Sequence, residues 1–312
     1  IFGTMTTTQL LVYARPSIKH QLAGLRALRD AASLKGLALC WHRSLEPLVR
    51  EELNIESPDF FGQAGSGPDV WGVEESSTLA GAAMVLVLGG DGTMLDTVPL
   101  AVGTQLPVFG FHFGRLGFLS SAGGTEDIPR ALEAIRNGEV LLEERSLLEC
   151  KYPKGPGELG LVYALNEVAL HRMGAGLMRV ACTLDGELLN RYQADGLLVA
   201  TPTGSTAYSM SCGGPIVLPQ SKVWTITPVA GHQLGIRPVV VDQNVRITLQ
   251  TEAESNGGPA RLMVDGKVLD WAEQGKIDLG LSLRPLRLAR FKGFSHLDNL
   301  KTKLLWGLDP RG

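Results

Sequence analysis

The sequence predicts two domains, an α/β domain built on a parallel sheet and, after it, a β-rich, sandwich-like domain. Three observations carry this reading. Apolar strand-like runs alternate with helically spaced leucines through the first half, and from about Leu147 short β-rich runs follow one another, two of them joined to the next by Asp-Gly. Between them one wholly apolar run breaks into a glycine-rich turn with an acid at its tip. A chain of 312 residues is long enough for two cores. The first domain is expected over residues 5–146, completed by the tail 286–312, and the second over 147–285.

Residues 9–14 predict a strand ended by Arg15-Pro16, and residues 18–34 repeat Leu22, Leu25, Leu28 and Ala32 at helical spacing before Gly36 stops them. Residues 37–41 predict the next strand. Residues 44–78, with Pro58, Gly62, Gly65, Gly67 and Pro68, predict a loop or irregular insertion. Then Met84-Val85-Leu86-Val87-Leu88 reads as a buried parallel strand, and Gly89-Gly90-Asp91-Gly92-Thr93 as the turn into a helix that runs on to Pro99. Residues 106–110 predict a strand, and residues 128–137 a helix closed by Gly138. In the second half, strands are expected over 161–170, 178–184, 187–192, 196–200, 223–227, 239–241, 245–251, 261–264 and 276–281, with Asp185-Gly186 and Asp265-Gly266 as hairpin turns. A last helix is expected over 297–306, packed on the first domain.

Composition narrows the function. With a net charge of -3 and no basic block, a general grip on nucleic acid is excluded, so any nucleotide partner is small. No apolar span is long enough for a bilayer, and no signal peptide precedes the first strand; the four residues ahead of Met5 are set aside from the fold. Cys40, Cys150, Cys182 and Cys212 lack metal-site spacing and read as free thiols of a reducing, cytoplasmic compartment.

Two constellations carry chemistry. Without Cβ atoms at Gly89, Gly90 and Gly92, an anionic ligand can approach the backbone, so Gly89, Gly90, Gly92 and Thr93 read as a phosphate loop. Asp91 at its tip is placed to accept a hydrogen bond from an attacking hydroxyl. The bland alternative is a plain turn. No Walker-type loop occurs, and a dinucleotide fingerprint started at Gly90 fails at Leu95. The second constellation joins Asn166-Glu167 to the stretch from Asp195 to Ser211. Adjacent strand residues face opposite sides, so Asn166 and Glu167 share a ligand only at a strand end or bulge, and that irregularity is predicted. Thr203, Ser205, Thr206, Tyr208, Ser209 and Ser211 supply hydroxyls suited to a ribose or amide. A Ser/His/Asp hydrolase is disfavoured, because no G-x-S-x-G elbow is present.

With both constellations in view, the chain resembles the NAD kinase family. Gly89-Gly90-Asp91-Gly92-Thr93 is similar to its Gly-Gly-Asp-Gly motif, Leu165-Asn166-Glu167-Val168 to its Asn-Glu motif, and residues 195–214 to its long Asp-Gly to Thr-Pro-Thr-Gly-Ser-Thr-Ala-Tyr-Ser signature. Residues 110–119, 227–232 and Asp265-Gly266 add weaker matches. The resemblance implies a two-domain fold with a Rossmann-like first domain. It implies transfer of a γ-phosphoryl from ATP, or from polyphosphate, with a divalent metal such as Mg²⁺, to the 2′-hydroxyl of NAD's adenosine ribose. It also implies Asp91 as the catalytic acceptor of the hydroxyl proton. The NAD-binding set it implies is Asp91, Gly92, Phe118, Asn166, Glu167, Asp195, Thr203, Thr206, Ala207, Tyr208 and Ser211, in a homodimer or homotetramer. Two positions depart from the pattern: His112 stands where Asn is usual, and Gly231 precedes His232 where proline is usual. A lipid or sugar kinase and a non-catalytic NAD-binding regulator are the rival readings.

Overall fold

The structure, a computed structural model, describes residues 8–15, 21–55, 57–62, 79, 81–114, 117–174, 176–252, 260–271 and 275–306. The chain divides into two compact units, Ile1–Glu143 with Arg287–Gly312, and Glu144–Leu286.

In the first unit the chain forms β1 (Gln9–Ala14), α1 (Gln21–Leu34), β2 (Ala38–His42), β3 (Asp59–Phe61), β4 (Ala82–Leu88), α2 (Asp91–Asp96), α3 (Val98–Thr104), β5 (Val108–His112), β6 (Ala122–Gly123), α4 (Ile128–Arg136) and β7 (Val140–Arg145). Strands pair in the order β3-β2-β1-β4-β5, all parallel, with β6 beside the end of β5. Beyond β5 comes Leu286–Phe291, also parallel to it, and then β7. Central strands of such a sheet are covered on both faces, and the sequence supplies what that requires. Leu10, Val12 and Ala14 pack with Leu25 and Leu28 of α1 and Leu132 of α4, while Leu11, Tyr13, Val85 and Val87 on the other face are buried as well. The strand order reverses between β1 and β4, and in open parallel sheets ligands bind beyond the carboxyl ends at that reversal. Arg15 follows β1 there, and Gly89 follows β4.

The helix expected to run from Thr93 to Pro99 is two helices. Pro99 lies in the first turn of α3, where its missing N–H removes no intrahelical bond. The described part of 44–78 is more ordered than a loop, with Leu45, Val49 and Leu53 of two short helical turns buried in the core. Residues 56 and 63–78 lie outside the described residues, as do 16–20, which include the start of the helix expected over 18–34.

The second unit holds β8 (Leu148–Gly155), β9 (Glu158–Ala164), β10 (Glu167–Arg172), β11 (Met178–Leu184), β12 (Glu187–Ala194), β13 (Gly196–Ala200), α5 (Tyr208–Ser211), β14 (Val223–Val229), β15 (Val239–Asp242), β16 (Ile247–Thr251), β17 (Ala260–Val264), β18 (Lys267–Leu269) and β19 (Lys276–Leu281). They form two antiparallel sheets, β12-β11-β16-β19-β8-β9 and β15-β14-β13-β10-β17-β18. Cys150, Val180, Leu249 and Ile277 from the first and Val168, Leu197, Trp224 and Leu262 from the second share one core, which makes the unit a sandwich. The strand expected over 161–170 is broken at Leu165-Asn166, where the chain crosses from one sheet to the other. Asp185-Gly186 and Asp265-Gly266 are hairpin turns with positive φ at both residues (48° and 89°, 47° and 79°), as the primed turn demands. The closing strand is β20 (Leu286–Phe291), and α6 (His296–Leu304) is capped by Ser295 Oγ accepting from Asp298 N–H. No described helix is long and apolar enough to cross a membrane.

Candidate functional site

In the first unit, β4 delivers the chain to Gly89, whose N–H donates to the Phe111 carbonyl of β5 (2.8 Å). The Gly90 carbonyl then accepts from Thr93 and Met94 N–H (2.9 and 3.2 Å), which starts α2 and leaves the N–H groups of Asp91 and Gly92 without intrahelical partners. Glycine is required at 89 by proximity, since a side chain would begin 2.4 Å from Thr93 Oγ1. A side chain at Gly90 would meet nothing within 4 Å. Asp91 is fixed by the loop after β5: its Oδ2 accepts from Phe118 N–H (2.8 Å) and its Oδ1 from Leu119 N–H (3.1 Å). That approach needs Gly117, where a Cβ would lie 1.8 Å from Asp91 Oδ1. Phe118 is therefore beside Asp91 through its backbone, while the Lys303 ammonium of α6 lies 4.6 Å from its ring centroid.

Sequence reasoning missed the residues that brace this loop. Arg290 of β20 is wholly buried and donates to the carbonyls of Phe118 (3.1 Å) and Ser120, with Glu143 3.4 Å from its Nε. On the other side Asp96, buried at the end of α2, accepts from Tyr13 OH (3.2 Å) and from Arg15. Burial and then Asp96 raise the pKa of the Tyr13 hydroxyl. In the sequence Arg15 marked only a strand end, and nothing tied Arg290 to the loop. His112 bonds the Gly114 carbonyl through Nδ1 (3.1 Å) and lines a cavity of about 880 Å³ with Ser120, Glu126, Asp127 and Phe294. Phe118 is not among the described residues lining that cavity.

In the second unit, the break between β9 and β10 is built by Asp265. Its carboxylate accepts from the N–H groups of Leu165 (2.8 Å), Asn166 (2.8 Å) and Glu167 (3.0 Å). The Asn166 carbonyl accepts from Thr201 N–H (2.9 Å), and Gly204 is admitted only without a Cβ, which would lie 2.0 Å from that oxygen. The Asn166 backbone is thus held on both sides, and its amide side chain makes no hydrogen bond among the described residues. Glu167 is 6% exposed; it accepts from Tyr208 N–H, and its Oε2 has no partner among the described residues. Burial, and next the Asp265 charge, push its carboxyl up to about 8, so it is protonated at neutral pH. Tyr208 stacks on His171 at 5.4 Å.

The predicted hydroxyls divide. Ser205 Oγ donates to the Pro202 carbonyl (2.7 Å) and Ser209 Oγ bonds Thr227 Oγ1 (3.0 Å), so both are engaged inside the fold and correct the reading of them as ligand donors. Thr203 Oγ1 accepts from Arg145 (3.4 Å), and Thr206 Oγ1 donates to the Thr203 carbonyl (3.3 Å). Tyr208 and Ser211 are exposed, with Ala207 half-buried before them. Asp195 does not join this group. In the β10–β13 register Glu167 pairs with Ala200 and His171 with Gly196, so Asp195 sits at the opposite end of the strand pair. There it accepts from Arg172 Nε (2.7 Å) and lies 3.5 Å from His232 Nε2. The Arg172 guanidinium holds its carboxyl below the usual range.

Among the described residues no three His, Cys, Asp or Glu side chains converge as a metal site. Near the loop, each oxygen of Asp91 and of Asp96 accepts a hydrogen bond.

Comparison with known proteins gives the family. The ATP-NAD kinase N-terminal domain matches residues 67–140 and the ATP-NAD kinase C-terminal domain residues 165–290. The chain is 34% identical over 281 residues to an NAD kinase of Bacteroides fragilis, covering 88% of this chain and 90% of that protein. It is 33% identical over 262 residues to an NAD kinase of Cytophaga hutchinsonii, covering 83% and 85%. Its fold is similar to that of yeast NADH kinase complexed with NADH, with a TM-score of 0.80 at 23% identity over 97% of this chain and 89% of that one. It is also similar to an Archaeoglobus fulgidus NAD kinase in complex with ATP, with a TM-score of 0.68 at 25% identity over 96% and 99%. Two domain matches in the right order and relatives above 30% identity along most of their length place the chain in the NAD kinase family.

Proposed function

We propose that this chain phosphorylates the 2′-hydroxyl of NAD's adenosine ribose, with Asp91 as the group that receives the hydroxyl and the loop Gly89, Gly90, Gly92, Thr93 as the seat of the donor's phosphates. As a member of its family the chain is an ATP-dependent phosphotransferase that acts on NAD. The observation that carries the assignment is the fixture of Asp91. Both its oxygens are aimed by backbone N–H groups, and each keeps lone-pair capacity for a substrate hydroxyl. Phosphoryl transfer depends chiefly on alignment and charge neutralisation. Asp91 therefore orients the 2′-oxygen toward the γ-phosphorus and takes its proton as the new P–O bond forms and the bond from the γ-phosphorus to the bridging oxygen breaks, with ADP leaving.

The amide of Asn166 and the protonated Glu167 are proposed to hold NAD, with Thr203, Thr206, Ala207, Tyr208 and Ser211 at the same end of the strand pair and Asp195 at the other. Glu167 in its acid form donates as well as accepts, which suits a ribose hydroxyl. Phe118 and Gly92 belong to the same proposal. Mg²⁺ is proposed to arrive on the triphosphate, where it offsets phosphate charge, rather than on protein ligands. Four free cysteines, three of them buried, support a reducing cytoplasmic setting. We also propose a homodimer or homotetramer, read by light scattering on the eluting protein.

Incubation of the protein with NAD, ATP and Mg²⁺ should give NADP, detected with an NADP-specific dehydrogenase. A protein that binds NAD without forming NADP would be a regulator, and one that phosphorylates only a lipid or sugar would be the rival kinase; either result ends the assignment.

A further inference from the structure

Arg15 is the first residue after β1 and stands beside the glycine-rich loop at the reversal in strand order. Its guanidinium is held on two sides. Nε and Nη2 donate to Asp96 (2.6 and 3.0 Å), and Nη2 also donates to the Gly92 carbonyl (2.9 Å). Asp96 is 1% exposed, and a buried carboxylate without a cation would be strongly destabilising, so part of the role of Arg15 is structural. That role leaves something over. The Arg15 side chain is 44% exposed and also interacts with the Tyr13 hydroxyl, while the bonds to Asp96 and Gly92 use Nε and Nη2 and not Nη1. A side chain at Gly92 would meet this guanidinium at 3.6 Å, and one at Gly90 would meet open space. A fixed cation whose Nη1 takes no part in the Asp96 and Gly92 bonds therefore borders the open side of the loop.

We infer that Arg15 binds the oligophosphate chain of the phosphoryl donor through Nη1, with Asp96 and the Gly92 carbonyl as its fixture. This rests on the reading of the Gly89–Thr93 loop as the donor's phosphate seat. Guanidinium suits the task, being planar, ionised at every working pH and matched to phosphate oxygens. Its orientation is set before the donor arrives, so little side-chain freedom is lost on binding. Because Asp96 balances its charge, the contribution is a directed short-range bond rather than long-range attraction. The consequence is an effect on donor affinity that leaves NAD affinity alone.

Two variants separate this from a structural role. Arg15→Lys keeps a cation for Asp96 and loses the fork, whereas Arg15→Gln with Asp96→Asn removes both charges and leaves no carboxylate buried alone. For each, the readouts are KM for ATP, KM for NAD, thermal stability, and binding of inorganic triphosphate by calorimetry. KM for ATP and Kd for triphosphate should each rise about 10-fold or more in both variants, the scale of a hydrogen bond to a charged group, while KM for NAD stays within about twofold. Donor constants like those of the wild type in both variants, or equal rises for ATP and NAD, overturn the inference. A lost melting transition with unchanged triphosphate affinity in Arg15→Lys overturns it too. Failure of the parent reading looks different: wild-type protein then makes no NADP and does not bind triphosphate at all.

Discussion

At the scale of single residues, Asp91 and Glu167 are two carboxyl groups whose surroundings set opposite tasks. Asp91 has one backbone N–H on each oxygen, so Asp91→Asn turns an amide NH₂ against one of those donors. Turnover should fall by roughly 10²-fold or more, the scale of general-base loss, while NAD affinity measured by calorimetry stays nearly intact. Turnover like that of the wild type would remove Asp91 from the mechanism. Glu167 is held neutral, its carboxyl pushed from the ordinary 4.5 up to about 8 by burial and then by Asp265. A raised folded pKa stabilises the protein fully below the unfolded value, and that contribution is lost as pH climbs through the folded one. Wild-type stability in urea should therefore decline between about pH 5 and 8, and Glu167→Gln, which cannot ionise, should flatten the decline. An equal decline in the variant would show that Glu167 is not the group. Both carboxyls were legible in the sequence because they sit in recognisable local strings. Arg15, Asp96, Arg290 and the carboxylate role of Asp265 were not, because each acts on residues far along the chain; Arg15 gave only a strand end, and Asp265 only a hairpin turn and a weak match to the family pattern.

At the scale of elements, each unit's candidate residues lie on turns fixed by absent side chains. Gly117 lets the loop after β5 close on Asp91, and Gly204 lets the loop after β13 close on Asn166. Gly117→Ala places a methyl carbon 1.8 Å from Asp91 Oδ1, so either the loop or the carboxylate must move. Turnover should fall as far as in Asp91→Asn, with a stability loss of about 1–3 kcal/mol, the usual cost of forced overpacking. Steady-state kinetics and a urea titration read the two effects, and unchanged kinetics would detach Asp91's geometry from catalysis. Among elements, β1, β4 and β5 were readable as apolar runs because both their faces are buried. The strands β7 and β20 were not. Leu141 and Leu142 of β7 are exposed at the sheet edge, and β20 carries Arg287 and Arg290 among its apolar residues. Periodicity also could not divide residues 161–170 into two strands. The division comes from Asp265, which binds three successive N–H groups from the far side of the turn into β18.

At the scale of the whole molecule, the two units differ in how they use the chain. Every strand from β8 to β19 lies in one continuous segment with its own core, whereas the first unit is complete only when β20 returns beside β5 and brings Arg290 to the carbonyls of Phe118 and Ser120. Removing β20 and α6 would expose the edge of β5 and leave the loop that orients Asp91 without its guanidinium brace. Loss of a buried, hydrogen-bonded charge alone costs about 3–5 kcal/mol, comparable to the whole margin of a typical domain. A fragment of residues 144–286 should therefore melt cooperatively with an antiparallel β circular-dichroism spectrum. A chain ending at residue 285 should form no NADP, and limited proteolysis should degrade its first unit while the second survives. Activity in that shortened chain would mean that the Asp91 loop holds its shape without Arg290, and the last strand would then be ornament to the parallel sheet rather than part of the catalytic frame.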